Sequence, residues 1–258
     1  MSISTSIDHG ILTIEFDRAE KKNAITAAMY QAMADALRTA EADPAVRVIL
    51  IRGKDEIFTA GNDLEDFMQR PPTGGDGVEQ APVFQFLDQI SHASKPVVAA
   101  VSGAAVGVGT TLLLHCDFVY ASETAKLSLP FAQLGLCPEA ASSLLLPRLV
   151  GYQRAAEKLM LGEPFGAQEA HQLGLVTRVL PVAELHAFAL QQARKLAALP
   201  ASSLRETKRL MKGNDVAAVE RKMAEEGEVF RRMLVAPEAK EAFTAFFEKR
   251  KPDFTKFS

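Results

Sequence analysis

One stretch, Lys95–Asp117 (KPVVAAVSGAAVGVGTTLLLHCD), constrains this chain more than any other. Pro96 precedes an apolar run at Val97–Val101. Gly103, Gly107 and Gly109 then punctuate the chain, and a second apolar run occupies Leu112–Leu114. β-Branched residues set between proline and glycine favour a strand. The pattern predicts a buried strand over Val97–Val101, a turn at Gly103 and a helix opening near Gly107. The start of a helix leaves backbone N–H groups without partners and carries partial positive charge. Such groups suit a developing oxyanion.

Other readings of the stretch are weaker. Val97 to Leu114 carries no charge, but a membrane-crossing helix needs about 20 apolar residues, and the glycines interrupt this run. No second apolar span exists. A dinucleotide fingerprint fails as well: Leu112 stands where a third glycine belongs, and no acidic residue occurs at the expected distance beyond it. On this stretch alone, a buried strand–turn–helix without chemistry is the simplest reading.

The whole chain has 258 residues, 48% of them apolar, and a net charge of −3. That size suits one large domain or one domain with a small appendage. The charge gives no bulk argument for nucleic-acid or membrane partners. Cys116 and Cys137 make no disulfide framework. With no signal peptide, a reducing cytoplasm is expected. His115–Cys116 has no second pair at ligand spacing, so no metal is expected.

In chain order, Ser2–His9 and Ile11–Phe16 read as a hairpin turning at His9–Gly10. Thr26 caps a helix reaching about Glu41, with Met29, Met33 and Leu37 on its apolar face. Arg47–Arg52 is a short buried strand, Ile57–Leu64 a loop, and Pro71–Gln80 a surface loop. A helix over Pro82–Ala93 leads into the Val97 strand. Phe118–Ala121, Lys126–Leu129 and Val176–Leu180 read as strands. Helices are expected at Ala140–Val150, Gly151–Leu161 and Gly166–Leu173. Beyond Pro181 only helices are expected: Val182–Ala198, Ala201–Lys212, Val216–Met233 and Glu238–Lys251. The order predicts an α/β core over residues 1–181 and a helical region over 182–258.

Three segments point one way. FTAGNDL (Phe58–Leu64), KPVVAAVSGAAVGVG (Lys95–Gly109) and AQEAHQLGLV (Ala167–Val176) resemble, in order and spacing, the signatures of the crotonase superfamily, the enoyl-CoA hydratases and isomerases. The resemblance implies a spiral of ββα turns with a helical C-terminal region used in homotrimer or homohexamer assembly. It implies an acyl-CoA substrate and no cofactor apart from the CoA of that substrate. It also implies an oxyanion hole made by two backbone N–H groups, which carry over to Ala60 and Val108. Further substrate contacts are expected at Lys22, Ala24 and Ile25 and at Gly61, Asn62, Asp63 and Leu64, with Asp63 read first as a residue that fixes its own loop. The acyl-pocket walls are expected largely from Glu65–Gln89.

Departures from the family pattern decide the subgroup. Thr111 and Phe131 stand where hydratases carry their two glutamates. Water addition needs both an activated water and a proton donor, so hydration is not expected. PFAQLGLCPEAASS (Pro130–Ser143) instead resembles the segment of the Δ3,Δ2-enoyl-CoA isomerases that carries one catalytic glutamate, which falls on Glu139. A second reading of Glu139 is a helix-start carboxylate facing water. Ser142 and Ser143 lack a nucleophile elbow. Arg205, Lys208, Arg209 and Lys212 share one helical face, either merely solvated or turned to CoA phosphates. The competing functions are hydrolytic dehalogenation of an aryl-CoA, with Phe67, Phe84 and Phe131 as aromatic walls, and acyl-CoA binding without catalysis.

Overall fold

The computed structural model describes residues 2–54, 57–69 and 81–257. The loop expected at Pro71–Gln80 lies outside them, as does the side chain of Phe67. The chain opens with a hairpin, β1 (Ile3–Asp8) and β2 (Ile11–Phe16). Helix α1 (Ala27–Ala42) comes next, and its cap Thr26 accepts from the Met29 N–H. Then come β3 (Val48–Gly53), α2 (Leu64–Gln69), α3 (Pro82–His92) and β4 (Val97–Val101). Next are β5 (Ala104–Val106), the single-turn helix α4 (Val108–Thr111), β6 (Phe118–Ser122) and β7 (Lys126–Ser128). Helices α5 (Ser142–Val150) and α6 (Tyr152–Ala156) lead to β8 (Phe165–Gly166), α7 (Ala167–Gln172) and β9 (Arg178–Leu180). The chain closes with helices α8 (Val182–Ala198), α9 (Ala201–Lys212), α10 (Val216–Leu234) and α11 (Pro237–Phe247).

Six strands form one sheet in the order β1-β2-β3-β4-β6-β9, parallel except for the β1–β2 hairpin. A smaller sheet runs β5-β7-β8. Strands of the large sheet therefore alternate along the chain with strands of the small one. After β3, Thr59 bridges to Ala105; after β4 comes β5; after β6 comes β7. Each step is one ββα turn of a spiral. The sequence reading missed β5, which is three residues long.

The central parallel strands β3 and β4 are buried on both faces, as parallel sheets require, while the antiparallel edge strand β1 is largely exposed. Ile49 and Ile51 of β3 and Val97, Ala99 and Val101 of β4 face Met29, Met33 and Leu37 of α1 and Phe86 and Ile90 of α3. Val48, Leu50, Val98, Ala100 and Tyr120 point the other way, onto Leu185, Ala189 and Ala193 of α8. The helical region after Pro181 thus begins by completing the core of the α/β part. No helix among the described residues is long and apolar enough to cross a membrane.

Candidate active site

Three loops lie side by side at one end of the spiral. The Ile25 N–H donates to the Gly61 carbonyl (2.8 Å) and the Asp63 N–H to the Ile25 carbonyl (2.9 Å). The Thr59 N–H reaches the Ala104 carbonyl (2.8 Å), and the Val106 N–H reaches the Thr59 carbonyl (3.1 Å). Gly61 is needed at this join. Its φ is +86°, and a Cβ there would stand 2.8 Å from the Val106 carbonyl oxygen. Asn23, fully buried and left-handed at φ 54°, ties the first loop to the second through Nδ2, which donates to the carbonyls of Ile57 and Phe58. Arg18 adds a clamp by donating to the Ala24 carbonyl and to Asp63 Oδ2. Burial raises the Asp63 carboxyl, but the Arg18 and backbone donors outweigh it and hold the pKa below the usual value. Asp63 therefore does fix its own loop.

These loops floor a pocket of about 540 Å³. Lys21, Lys22 and Ala24 stand at one side, and Ala60 to Leu64 and Val106 to Val108 line the floor. Phe131, Leu134 and Leu136 form a wall, and Phe230 of α10 with Phe243, Phe246 and Phe247 of α11 form another. Among the described residues, most of the aromatic lining comes from the C-terminal helices. Phe84 lies elsewhere, under the Arg231 guanidinium at 5.6 Å.

Glu139 projects into this pocket. Its carboxyl is pushed up from 4.5 to about 7, first by burial. The Thr111 hydroxyl donates to Oε1 and pulls the value back, while the charge of Glu226 pushes it up again. Glu139 is half-buried, and α5 begins only at Ser142, so it is not a freely solvated helix-start carboxylate. The next two residues, Ala140 and Ala141, are both left-handed (φ 59° and 55°). For alanine that conformation costs roughly 1–2 kcal/mol per residue, so the turn must be held from outside. His115, kept neutral at a pKa of about 4 by burial, donates from Nε2 to the Ala140 carbonyl (2.9 Å).

Two expectations need correction. The Ala60 N–H is already committed, donating to the Lys22 carbonyl at 2.9 Å. It is not free to meet an oxyanion. Two residues further on, the Asn62 amide has no acceptor among the described residues. The left-handed Gly61 before it turns the intervening peptide out of line with its neighbours. Val108 also lines the pocket with its N–H unspent among the described residues. Ile25 does not border the pocket: it is 2% exposed, packs in the main core and contributes only backbone bonds to the loop. The basic face of α9 does not reach the pocket either. Lys208 donates to Asp117 (2.7 Å) and the Lys95 carbonyl (2.8 Å), and Lys212 to the His115 carbonyl (2.9 Å).

Sequence reading passed over Tyr30 and Glu226. Tyr30, whose phenol burial keeps neutral, donates to Asn62 Oδ1 (2.5 Å) and so orients the loop carrying the free amide. Glu226 sits with Phe230 and Leu234 at helical spacing on the buried face of α10. A carboxylate on an apolar stripe was the available signal. Cys116 and Cys137, raised by burial to about 12 and about 11, are poor nucleophiles. No group of metal-ligating side chains occurs among the described residues.

A ββα spiral with a row of backbone amides under an apolar pocket defines a crotonase-type protein, and known structures agree. An enoyl-CoA hydratase/isomerase from Pseudoalteromonas atlantica T6c superposes with a TM-score of 0.92 at 42% identity, covering 99% of this chain and 100% of that one. Residues 6–256 match the family described as Enoyl-CoA hydratase/isomerase, and the chain belongs to that family. It is 35% identical to "Enoyl-CoA delta isomerase 2" of Rattus norvegicus over 96% of its own length, and spans 64% of that protein. It is 31% identical to "2,3-dehydroadipyl-CoA hydratase" of Escherichia coli (strain K12), over 95% of this chain and 94% of that one.

Proposed function

We propose that the chain is an enoyl-CoA isomerase that moves a 3-enoyl-CoA double bond to the 2-position. The observation that carries this reading is the state of Glu139. It is a carboxylate set in an apolar pocket with a pKa of about 7, and the neutral Thr111 sits beside it where a hydratase would hold a second carboxylate. A general base works best with a pKa near the working pH. Glu139 takes a proton from C2, and the electrons move into the thioester to give a dienolate with its charge on oxygen. The N–H groups of Asn62 and Val108 receive that oxygen; removing one such donor costs about 10²–10³-fold in rate. Glu139 then returns the proton at C4. C2=C3 forms as C3=C4 is lost, and the carbonyl is restored. One base serves both carbons from one face, so no second carboxylate is required. Exposed Lys21 and Lys22 at the pocket edge suit the CoA phosphates.

The test is product analysis of 3-hexenoyl-CoA and crotonyl-CoA incubated separately. Double-bond migration without hydration is the expected result, with the C2 proton carried to C4 and solvent deuterium entering only to the extent that the protonated Glu139 exchanges before returning it. Rapid water addition to crotonyl-CoA, or no turnover of the 3-enoyl substrate, would overturn the reading.

A further inference from the structure

The left-handed turn behind Glu139 is held by a side chain 85 positions beyond Ala141 in the chain. Glu226 of α10 accepts from the Ala141 N–H (2.6 Å) through one carboxylate oxygen. Through the other it accepts from the Ser143 N–H (2.9 Å) and the Ser143 hydroxyl (2.5 Å). It is 6% exposed, and no cation forms an ion pair with it among the described residues. Burying a carboxylate without an ion pair is costly, and an apolar residue would fill the space at less expense. The three donors it meets all belong to the segment directly after Glu139. One turn further along α10, Phe230 lines the pocket. A single helix therefore carries both a pocket wall and the tie to the turn.

We infer that Glu226 is a positioning residue for Glu139: by fastening Ala141 and Ser143 it enforces the left-handed turn that aims the Glu139 carboxyl into the pocket. The inference rests on Glu139 being the base. The C-terminal helices are on this view part of the catalytic apparatus and not only an assembly surface.

Glu226→Gln keeps the volume and one acceptor oxygen but removes the second acceptor and the charge. Its kcat on 3-hexenoyl-CoA should fall by roughly 10²-fold, the effect of about 1 Å of misplacement. The affinity for hexanoyl-CoA, read by calorimetry, should change by less than about threefold, since the binding groups are untouched. Two further readouts separate positioning from general destabilisation. The titratable groups around Glu226 are Glu139 and Cys137 from the turn segment and Lys222 from its own helix, with Arg232 further along α10 acting on Cys137. Removing the Glu226 charge takes a like charge from beside Glu139, so the acid limb of kcat/KM should move to lower pH. Adding Ala141→Gly, which adopts the left-handed turn unaided, should recover roughly five- to thirtyfold of the lost kcat.

A Glu226→Gln protein with kcat within about threefold of the parent and an unmoved acid limb would overturn the inference. So would a parallel loss of kcat and affinity. Should that variant not fold, Ser143→Ala removes one donor without burying a lone charge, and must show the same kcat loss in weaker form. Glu139→Gln is measured alongside. If it is inactive while Glu226→Gln is unaffected, only the positioning role falls. If both are active, the isomerase reading falls.

Discussion

Replacing Glu139 by glutamine should stabilise the protein while it sharply lowers turnover. Holding a carboxyl at about 7 instead of 4.5 means that ionising it in the folded protein costs about 3 kcal/mol more than in the unfolded chain. Between those two values the folded state binds the proton more tightly, so stability falls as pH rises through the window. Glutamine carries no such penalty and still accepts from the Thr111 hydroxyl. The two proteins should therefore be nearly equal in stability near pH 4 and separate by up to about 3 kcal/mol near pH 8. For a chain of this length that is roughly 6–12 °C in Tm. Thermal unfolding followed by circular dichroism at both pH values, at one fixed protein concentration, measures the gap. Isomerisation should drop by roughly 10²–10⁴-fold. A gap that is absent, reversed or the same at both pH values would refute the account of a carboxylate destabilised by its surroundings.

Three further outcomes are expected. Thr111→Val removes the donor that holds the Glu139 pKa down, so the acid limb of kcat/KM should move to higher pH; an unmoved limb would sever Thr111 from the base. Gly61→Ala forces a Cβ against the Val106 carbonyl at positive φ and should destabilise by more than about 1 kcal/mol in urea unfolding, with kcat lost as the Asn62 amide shifts. The exposed Leu210, Met211, Phe246 and Phe247 are apolar surface that assembly would cover; we expect light scattering at micromolar concentration to give a trimer or hexamer, and a monomer would reject this.

The parts of the fold that were legible in the sequence are those set by local signals. Helices α8 and α9 begin and end where their prolines and 3.6-residue spacing put them, because those signals are local. The strand at Val97–Val101 was legible for the same reason. Strand β5 was not: three residues between glycines carry no period, and only the fold, through pairing with β7 and the bridge to Thr59, defines them. Glu139 was reached through its neighbours in sequence, but its pKa depends on Thr111 and Glu226, which only the folded chain brings together. The choice between the amides of Ala60 and Asn62 turned on one hydrogen bond from Ala60 to the distant Lys22 carbonyl. No composition or spacing reports which N–H of a loop is already spent. Glu226 stood among Glu225 and Glu228 in one charged run, and the side of the helix it faces distinguished it.

The cover that α8 provides for the sheet also sets a timetable for synthesis. Strands β2, β3 and β4 turn Ile11, Val48, Leu50, Val98 and Ala100 toward a helix that begins only at Val182. About 130 residues separate β3 from that helix, so at 5–20 residues per second the ribosome takes on the order of 10 s to deliver it. Throughout that interval the nascent sheet presents a bare apolar face. A chain released early, for instance at Pro181, keeps that face open for good, and the ribosome-bound intermediate is where a holding chaperone has most to do.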